Sequence, residues 1–139
     1  MAYEFLEHTA DLKIRATGKT LPEALSESAK ALFEAIASNS KIAPTLEREL
    51  TIKVNKPEIL VHDFLSQLIY LFSTEHLLFS EFNLDLKESI GYKLTAKLKG
   101  EKYDPKKHKL VKEVKAATYH EMKVEEGKNG WTIEVICDT

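Results

Sequence analysis

Apolar and polar residues alternate along several stretches of the chain, and this period of two residues predicts β-strands. The clearest case is residues 11–18, where Leu12, Ile14 and Ala16 share one face and Asp11 is predicted to face away from the core. The same alternation predicts strands over residues 3–6, 46–54, 82–86, 92–98, 114–124 and 131–137.

Two other stretches have the spacing of amphipathic helices. Thr20 and Glu23 match a capping box, and the apolar residues that follow predict a helix over residues 21–37. A second helix is predicted over residues 57–72, where the apolar residues cover more than one face, as expected for a helix buried on several sides. Asn129-Gly130 favours a type I′ turn between the last two strands.

These elements predict an α+β fold, a two-layer sandwich with two helices packed on a mixed, largely antiparallel sheet of about seven strands. The length of 139 residues suits a single domain, residues 1–139, which buries one core without a disulfide.

Composition narrows the class of protein. A net charge of −2 argues against stand-alone binding of nucleic acid, which normally requires a basic face. Cys137 is the only cysteine, so an intramolecular disulfide is excluded and a reducing compartment is favoured. The N-terminus lacks the pattern of a signal peptide, and the apolar stretches are too interrupted to span a membrane. We therefore expect a soluble cytoplasmic protein that does not engage a membrane.

Three acidic groups are predicted at the ends of strands. Asp11 begins one predicted strand, while Asp138 and the terminal carboxylate of Thr139 follow another. Together they would form an oxygen-rich site suited to Ca²⁺, Mg²⁺ or Mn²⁺. Solvated acids at strand ends are the alternative, because the sequence does not show that Asp11 is close to Asp138.

The register of the last two strands decides what lies next to these acids. If the ladder continues unbroken from the Asn129-Gly130 turn, Asp138 lies opposite Tyr119 or Glu121. Asp138 would then be near the start of the Lys115 strand, but not beside Lys115. Lys115 and Tyr119 are predicted on the outer face.

The other candidate groups are weaker. His8 and His120 could work with a carboxylate as general acid or base, or could be hydrogen-bonded at sheet edges. Cys137 is predicted on the core face as an inert thiol. The remaining histidines share no metal-ligand spacing: His62, His76 and His108.

A lysine-rich stretch at residues 102–109 could contact RNA phosphate or an acidic protein surface, and a solvated, mobile loop is the alternative. The glycines are scattered at turns, so no glycine-rich loop for binding phosphate is predicted.

Two motifs are similar to those of the archease family. They are Glu7-His8-Thr9-Ala10-Asp11 and Lys115-Ala116-Ala117-Thr118-Tyr119-His120, together with a chain that stops just after Asp138. The order of predicted elements between them is also similar, so the resemblance covers the whole chain.

The resemblance implies an accessory protein of an RtcB-type tRNA-splicing RNA ligase, without catalysis of its own. It implies that the protein promotes guanylylation and multiple turnover of the ligase and can broaden its nucleotide use. The family's metal site, with Ca²⁺ as the expected ion, would correspond to Asp11, Asp138 and Thr139. Its functional lysine would be Lys115. Family members commonly end in an aliphatic residue, so Thr139 departs from the pattern.

The supporting residues around this site would be His8, Tyr119 and His120. Two other functions remain open on the residues alone. One is a general chaperone or modulator of an RNA-modifying enzyme, and the other is a stand-alone metal-dependent hydrolase.

Overall fold

The computed structural model describes residues 1–7 and 11–139. In these residues the elements follow in the order β1 Ala2–Leu6, β2 Leu12–Gly18, α1 Leu21–Ile36, β3 Leu46–Val54, α2 Pro57–Glu75, β4 Leu77–Glu88, β5 Tyr92–Lys102, β6 Ala116–Ala117, β7 Lys123–Gly127 and β8 Gly130–Asp138. No helix in the described part of the chain is both long and apolar enough to cross a membrane.

The strands form two antiparallel sheets. One has the order β1-β2-β8-β6, with β7 also paired to β8, and the other has the order β3-β5-β4. The predicted α+β class is confirmed, but the predicted single sheet is divided in two. After β5, residues 103–115 lead the chain from the second sheet to the first, where β6 pairs with β8. We call residues 103–115 the connecting segment.

Both helices pack against both sheets and supply much of the core. The cap predicted for α1 forms in a modified way: the Glu23 N–H donates to Thr20 Oγ1 at 3.3 Å, but the Glu23 carboxylate accepts from the N–H of Lys19, one residue before the N-cap, at 2.7 Å. Helix α2 continues to Glu75, three residues beyond its predicted end, and His76 closes it in the left-handed conformation. The largest buried side chains include Leu25, Leu32, Phe64, Leu65 and Leu68.

The predicted strand over residues 114–124 is broken. Only Ala116–Ala117 pairs as a strand, and the turn at residues 118–122 separates it from β7. The turn forms because Thr118 bonds twice to the Ile136 carbonyl, through its N–H at 3.0 Å and its Oγ1 at 2.7 Å. At the break Ala117 is buried and Ala116 is exposed, while Lys115 and Tyr119 are exposed as predicted.

This break corrects the predicted register. An unbroken ladder through β7 would pair Asp138 with Tyr119, whereas Asp138 pairs with Ala116. The prediction that Asp138 lies opposite Tyr119 or Glu121 is therefore wrong. The prediction that Lys115 lies away from Asp138 is also wrong, because the Lys115 N–H donates to the Asp138 carbonyl at 2.8 Å.

The connecting segment is anchored to the body of the fold. The Val111 N–H donates to the Ile36 carbonyl at 2.8 Å, and the Lys109 N–H donates to Ser40 Oγ at 3.0 Å. His108 is only 2% exposed. The solvated loop considered as one alternative for this stretch therefore does not describe His108.

Candidate functional site at the ends of β2 and β8

Asp11 and Asp138 occupy neighbouring positions at one end of the first sheet. The β2–β8 ladder reaches Leu12 opposite Cys137. In an antiparallel pair the next opposing residues are Asp11 and Asp138, and opposing residues face the same side. Asp11 is half-buried and Asp138 is exposed, while Leu12 and Cys137 are buried beneath them. The predicted outward orientation of Asp11 agrees with this register.

The thiol of Cys137 supports the same arrangement. Burial, together with the negative charges of Asp138 and Asp11, raises the pKa of this thiol to about 12. Both carboxylates therefore lie within electrostatic reach of one sulfur atom. A thiol with so high a pKa remains protonated and unreactive at neutral pH, as predicted for Cys137.

Two adjacent carboxylates provide part of the ligand set of a hard divalent cation. The donors predicted from the sequence all offer oxygen atoms, and Thr139 directly follows Asp138. Among residues 1–7 and 11–139, no group of three or more His, Cys, Asp or Glu side chains is placed to hold a metal ion. The arrangement thus fits an ion bound by two aspartates, Thr139 oxygens and water, and the metal site stays a prediction.

Lys115 lies on the other side of Asp138. It lines a groove of about 700 Å³ along α2. We call this the α2 groove, and its other lining residues are Ile69, Phe72, Ser73, His76, Tyr103, Leu110, Val111, Lys112, Glu113 and Val114. Asp11 lines a separate concavity of about 800 Å³, in which Lys13, Glu34 and Lys112 take part. Lys112 contributes to both, so the two concavities adjoin.

The turn that carries two of the predicted supporting residues approaches β2, since Glu121 Oε1 in this turn is 3.9 Å from Lys13 Nζ. Tyr119 and His120 belong to the turn at residues 118–122, and His120 Nε2 lies 3.1 Å from Glu121 Oε2. His8 lies outside the described residues. Tyr119 instead stacks on His62, with ring centroids 4.3 Å apart and planes within 9°.

A charged network on the outer face of this sheet was not predicted. Arg15 lies opposite Glu134, and its guanidinium is 2.9 Å from the Glu134 carboxylate and 3.0 Å from that of Glu4. The hydrogen bond to Glu134, followed by that to Glu4, raises the pKa of Arg15. Opposite charges at facing positions would have revealed this pair once the β2–β8 register was known.

Comparison with known proteins places the whole chain among related sequences. The family model described as the Archease protein family matches residues 3–139. The protein archease of Methanosarcina barkeri is 40% identical over 138 residues, which cover 98% of this chain and 94% of the relative. That of Pyrococcus furiosus is 41% identical over 138 residues, covering 98% and 97%.

The fold has a solved counterpart. The solution structure of protein 1598 of Methanobacterium thermoautotrophicum matches with a TM-score of 0.84 and 31% identity, covering 99% of each chain. The similarity therefore includes both strand ends that carry the acidic residues and the connecting segment beside them.

Proposed function

Because this chain belongs to the archease family, we propose that it is an accessory protein that activates an RtcB-type tRNA-splicing RNA ligase. The observation that carries the proposal is that Asp11, Asp138 and Lys115 come together at one end of the first sheet. Asp11 lies opposite Asp138 by register, and the Lys115 N–H donates to Asp138 at 2.8 Å. Two acids and one base at the surface, with Asp138 and Lys115 exposed and Asp11 half-buried, suit contact with another enzyme's charged site.

In this proposal the acidic pair holds a divalent cation, with Ca²⁺ as the expected ion and Mg²⁺ or Mn²⁺ as alternatives. Such an ion supplies positive charge that orients phosphate oxygens. Asp11 and Asp138 provide the carboxylates, and Thr139 provides further oxygen. Lys115 is exposed, so its ammonium group is available to contact a phosphate or an acidic residue of the ligase.

The proposed effect is on guanylylation of the ligase and on its multiple turnover. Transfer of a guanylyl group requires the triphosphate and the nucleophile to be held in a productive geometry. Charged groups presented by a second protein can stabilise that geometry each time the ligase returns to its starting state. If these charges help to hold the triphosphate, the ligase itself needs fewer contacts to the nucleotide, and it would accept a broader set of nucleotides.

The test is a multiple-turnover ligation assay with wild-type protein and the variants Asp11→Asn and Lys115→Ala. Each variant should lower the stimulation at least about tenfold, which corresponds to loss of about 1.4 kcal/mol of favourable interaction. Lys128→Ala is the control, because Lys128 is an exposed lysine in the β7–β8 hairpin, at the far end of β8 from Asp138. Full stimulation by both site variants, with unchanged thermal stability, would remove these residues from the function.

A general chaperone is the second candidate, favoured by one observation. Leu110 and Val111 line the α2 groove and are 43% and 56% exposed. A chaperone would use such apolar surface and would not need Asp11. Suppression of aggregation by the Asp11→Asn variant, without any effect of the protein on a ligase, would favour this candidate.

A further inference from the structure

Tyr119 presents an aromatic ring at the surface in a fixed position. Its ring stacks on that of His62 at 4.3 Å, yet the residue is 52% exposed. Large aromatic side chains gain free energy from burial, and an exposed ring that is already held flat is suited to stacking with a ligand. His62 is itself held by α2, where its Nδ1 lies 3.2 Å from the Asp63 carboxylate.

The turn that carries Tyr119 is determined by its own hydrogen bonds. Thr118 Oγ1 donates to the Ile136 carbonyl at 2.7 Å and accepts from the His120 N–H at 3.3 Å. The Met122 N–H donates to the Tyr119 carbonyl at 3.2 Å. Glu121 adopts φ of 50°, a left-handed conformation that a non-glycine residue keeps only when its surroundings enforce it. The ring is therefore preorganised, and ordering it on binding costs little entropy.

Exposed lysines lie in the connecting segment that leads into this turn, and the acidic neighbours of the ring stack are Asp63 beside His62 and Glu121 in the turn. The connecting segment contains five lysines and only two acidic residues, Asp104 and Glu113, in a chain whose net charge is −2. Lys107 is neutralised by Glu101 at 2.7 Å. Lys109, Lys112 and Lys115 are exposed, and the last two line the α2 groove.

Helix α2 gives the spacing between the aromatic ring and the lysines. Tyr119 stacks on His62, while Lys115 lines the groove with Ile69 and Ser73. Ile69 follows His62 by two helical turns, so it lies near the same face and about 10 Å further along the axis. An aromatic platform with cations ranged beside it is the arrangement by which proteins bind single-stranded nucleic acid.

We propose that the Tyr119–His62 stack and the exposed lysines of the connecting segment form a binding site for single-stranded RNA. One base stacks on Tyr119, and the adjoining phosphates lie along Lys115 and Lys112. The stacked ring pair favours RNA over an acidic protein surface, because every base offers a π-face to it. The inference rests on the proposed function only in choosing RNA rather than DNA.

The experiment measures binding of a fluorescein-labelled single-stranded oligouridine of about 12 nucleotides, within the usual site size, to the protein without ligase. Tyr119→Ala should weaken binding by about 5- to 100-fold, and Tyr119→Phe should leave it nearly unchanged because the ring remains. Lys115→Ala should reduce the slope of log affinity against log salt by about 0.7. Lys128→Ala is the matched control and should bind like wild type.

Several outcomes would overturn the inference. It fails if wild-type protein does not bind the RNA, or if Tyr119→Ala binds as tightly as wild type. It also fails if Tyr119→Ala and Lys115→Ala lose stimulation of the ligase while RNA affinity is unchanged, since the surface would then contact protein. RNA binding that depends on Tyr119, in a protein that stimulates no ligase, would support this site and reject the proposed function.

Discussion

At the scale of single residues, the half-buried carboxylate of Glu101 holds several segments together through hydrogen bonds. It accepts hydrogen bonds from the Ala43 N–H at 2.7 Å, Lys107 Nζ at 2.9 Å and His108 Nε2 at 2.9 Å. Because the Asp104 N–H donates to His108 Nδ1 at 2.9 Å, the proton of a neutral His108 is on Nε2. Burial would raise the pKa of Glu101, but these donors outweigh it and lower the pKa to about 2.

Glu101→Gln should therefore destabilise the protein near neutral pH by about 1.5–3 kcal/mol, the usual range for hydrogen bonds to a charged group. A depressed folded-state pKa contributes stability that is complete above the unfolded value of 4.5 and is lost as pH falls towards 2. The difference in unfolding free energy between wild type and variant should shrink over that window in urea titrations. A difference in unfolding free energy that does not vary with pH would contradict a stabilising role for the negative charge of Glu101. Glu113→Gln is the control, because Glu113 is exposed.

At the scale of elements, the β4–β5 pair depends on a close approach of two backbones. A Cβ atom added at Gly100 would overlap the carbonyl oxygen of Leu78, next to the register shift between Phe79 and Glu81. The Gly100 carbonyl also accepts from the Thr45 N–H at 3.0 Å. Displacing β5 would therefore also weaken the hydrogen bond that holds the residue just before β3.

Gly100→Ala should consequently cost about 2–4 kcal/mol of unfolding free energy, at the upper end of single substitutions, because backbone must move to accept the methyl group. Gly127→Ala is the matched control, since the nearest atom to its added Cβ is 4.0 Å away. Thermal and urea unfolding of both variants would measure the contrast. If the Gly100→Ala and Gly127→Ala variants were equally stable, β4 and β5 would be able to move apart at Gly100 at little cost in free energy.

At the scale of the whole molecule, the acidic pair joins elements from the two ends of the chain. Asp11 and Asp138 are brought together only by the β2–β8 ladder. A cation bound between them would therefore favour the folded state over the unfolded one, since the unfolded chain does not hold the two carboxylates together.

Ca²⁺ should accordingly raise the melting temperature of the protein, by an amount equivalent to about 2.7 kcal/mol when its concentration is 100 times the dissociation constant. A chelator should reverse the rise. Asp11→Asn and Asp138→Asn should abolish it, while Asp85→Asn, exposed on β4 in the other sheet, should not. A melting temperature insensitive to Ca²⁺, Mg²⁺ and Mn²⁺ would rule out a bound cation at the pair.

Local patterns in the sequence were sufficient to predict the two helices and the buried and outer faces of β2. Each depends on residues a few positions apart, such as the Thr20 cap of α1 or the alternation of Leu12 and Ile14. The family resemblance depends on two short motifs and was likewise available from the sequence, and the family match confirms it.

Only the tertiary structure decided which residues meet. Asp138 lies beside Lys115 rather than Tyr119 because Thr118 bonds to Ile136 and takes the intervening residues out of the ladder. The burial of His108 and the stacking of Tyr119 on His62 likewise require distant segments to pack together. Periodicity along the chain specifies which side of an element faces the core, but hydrogen bonds between distant segments set the register that assembles a site.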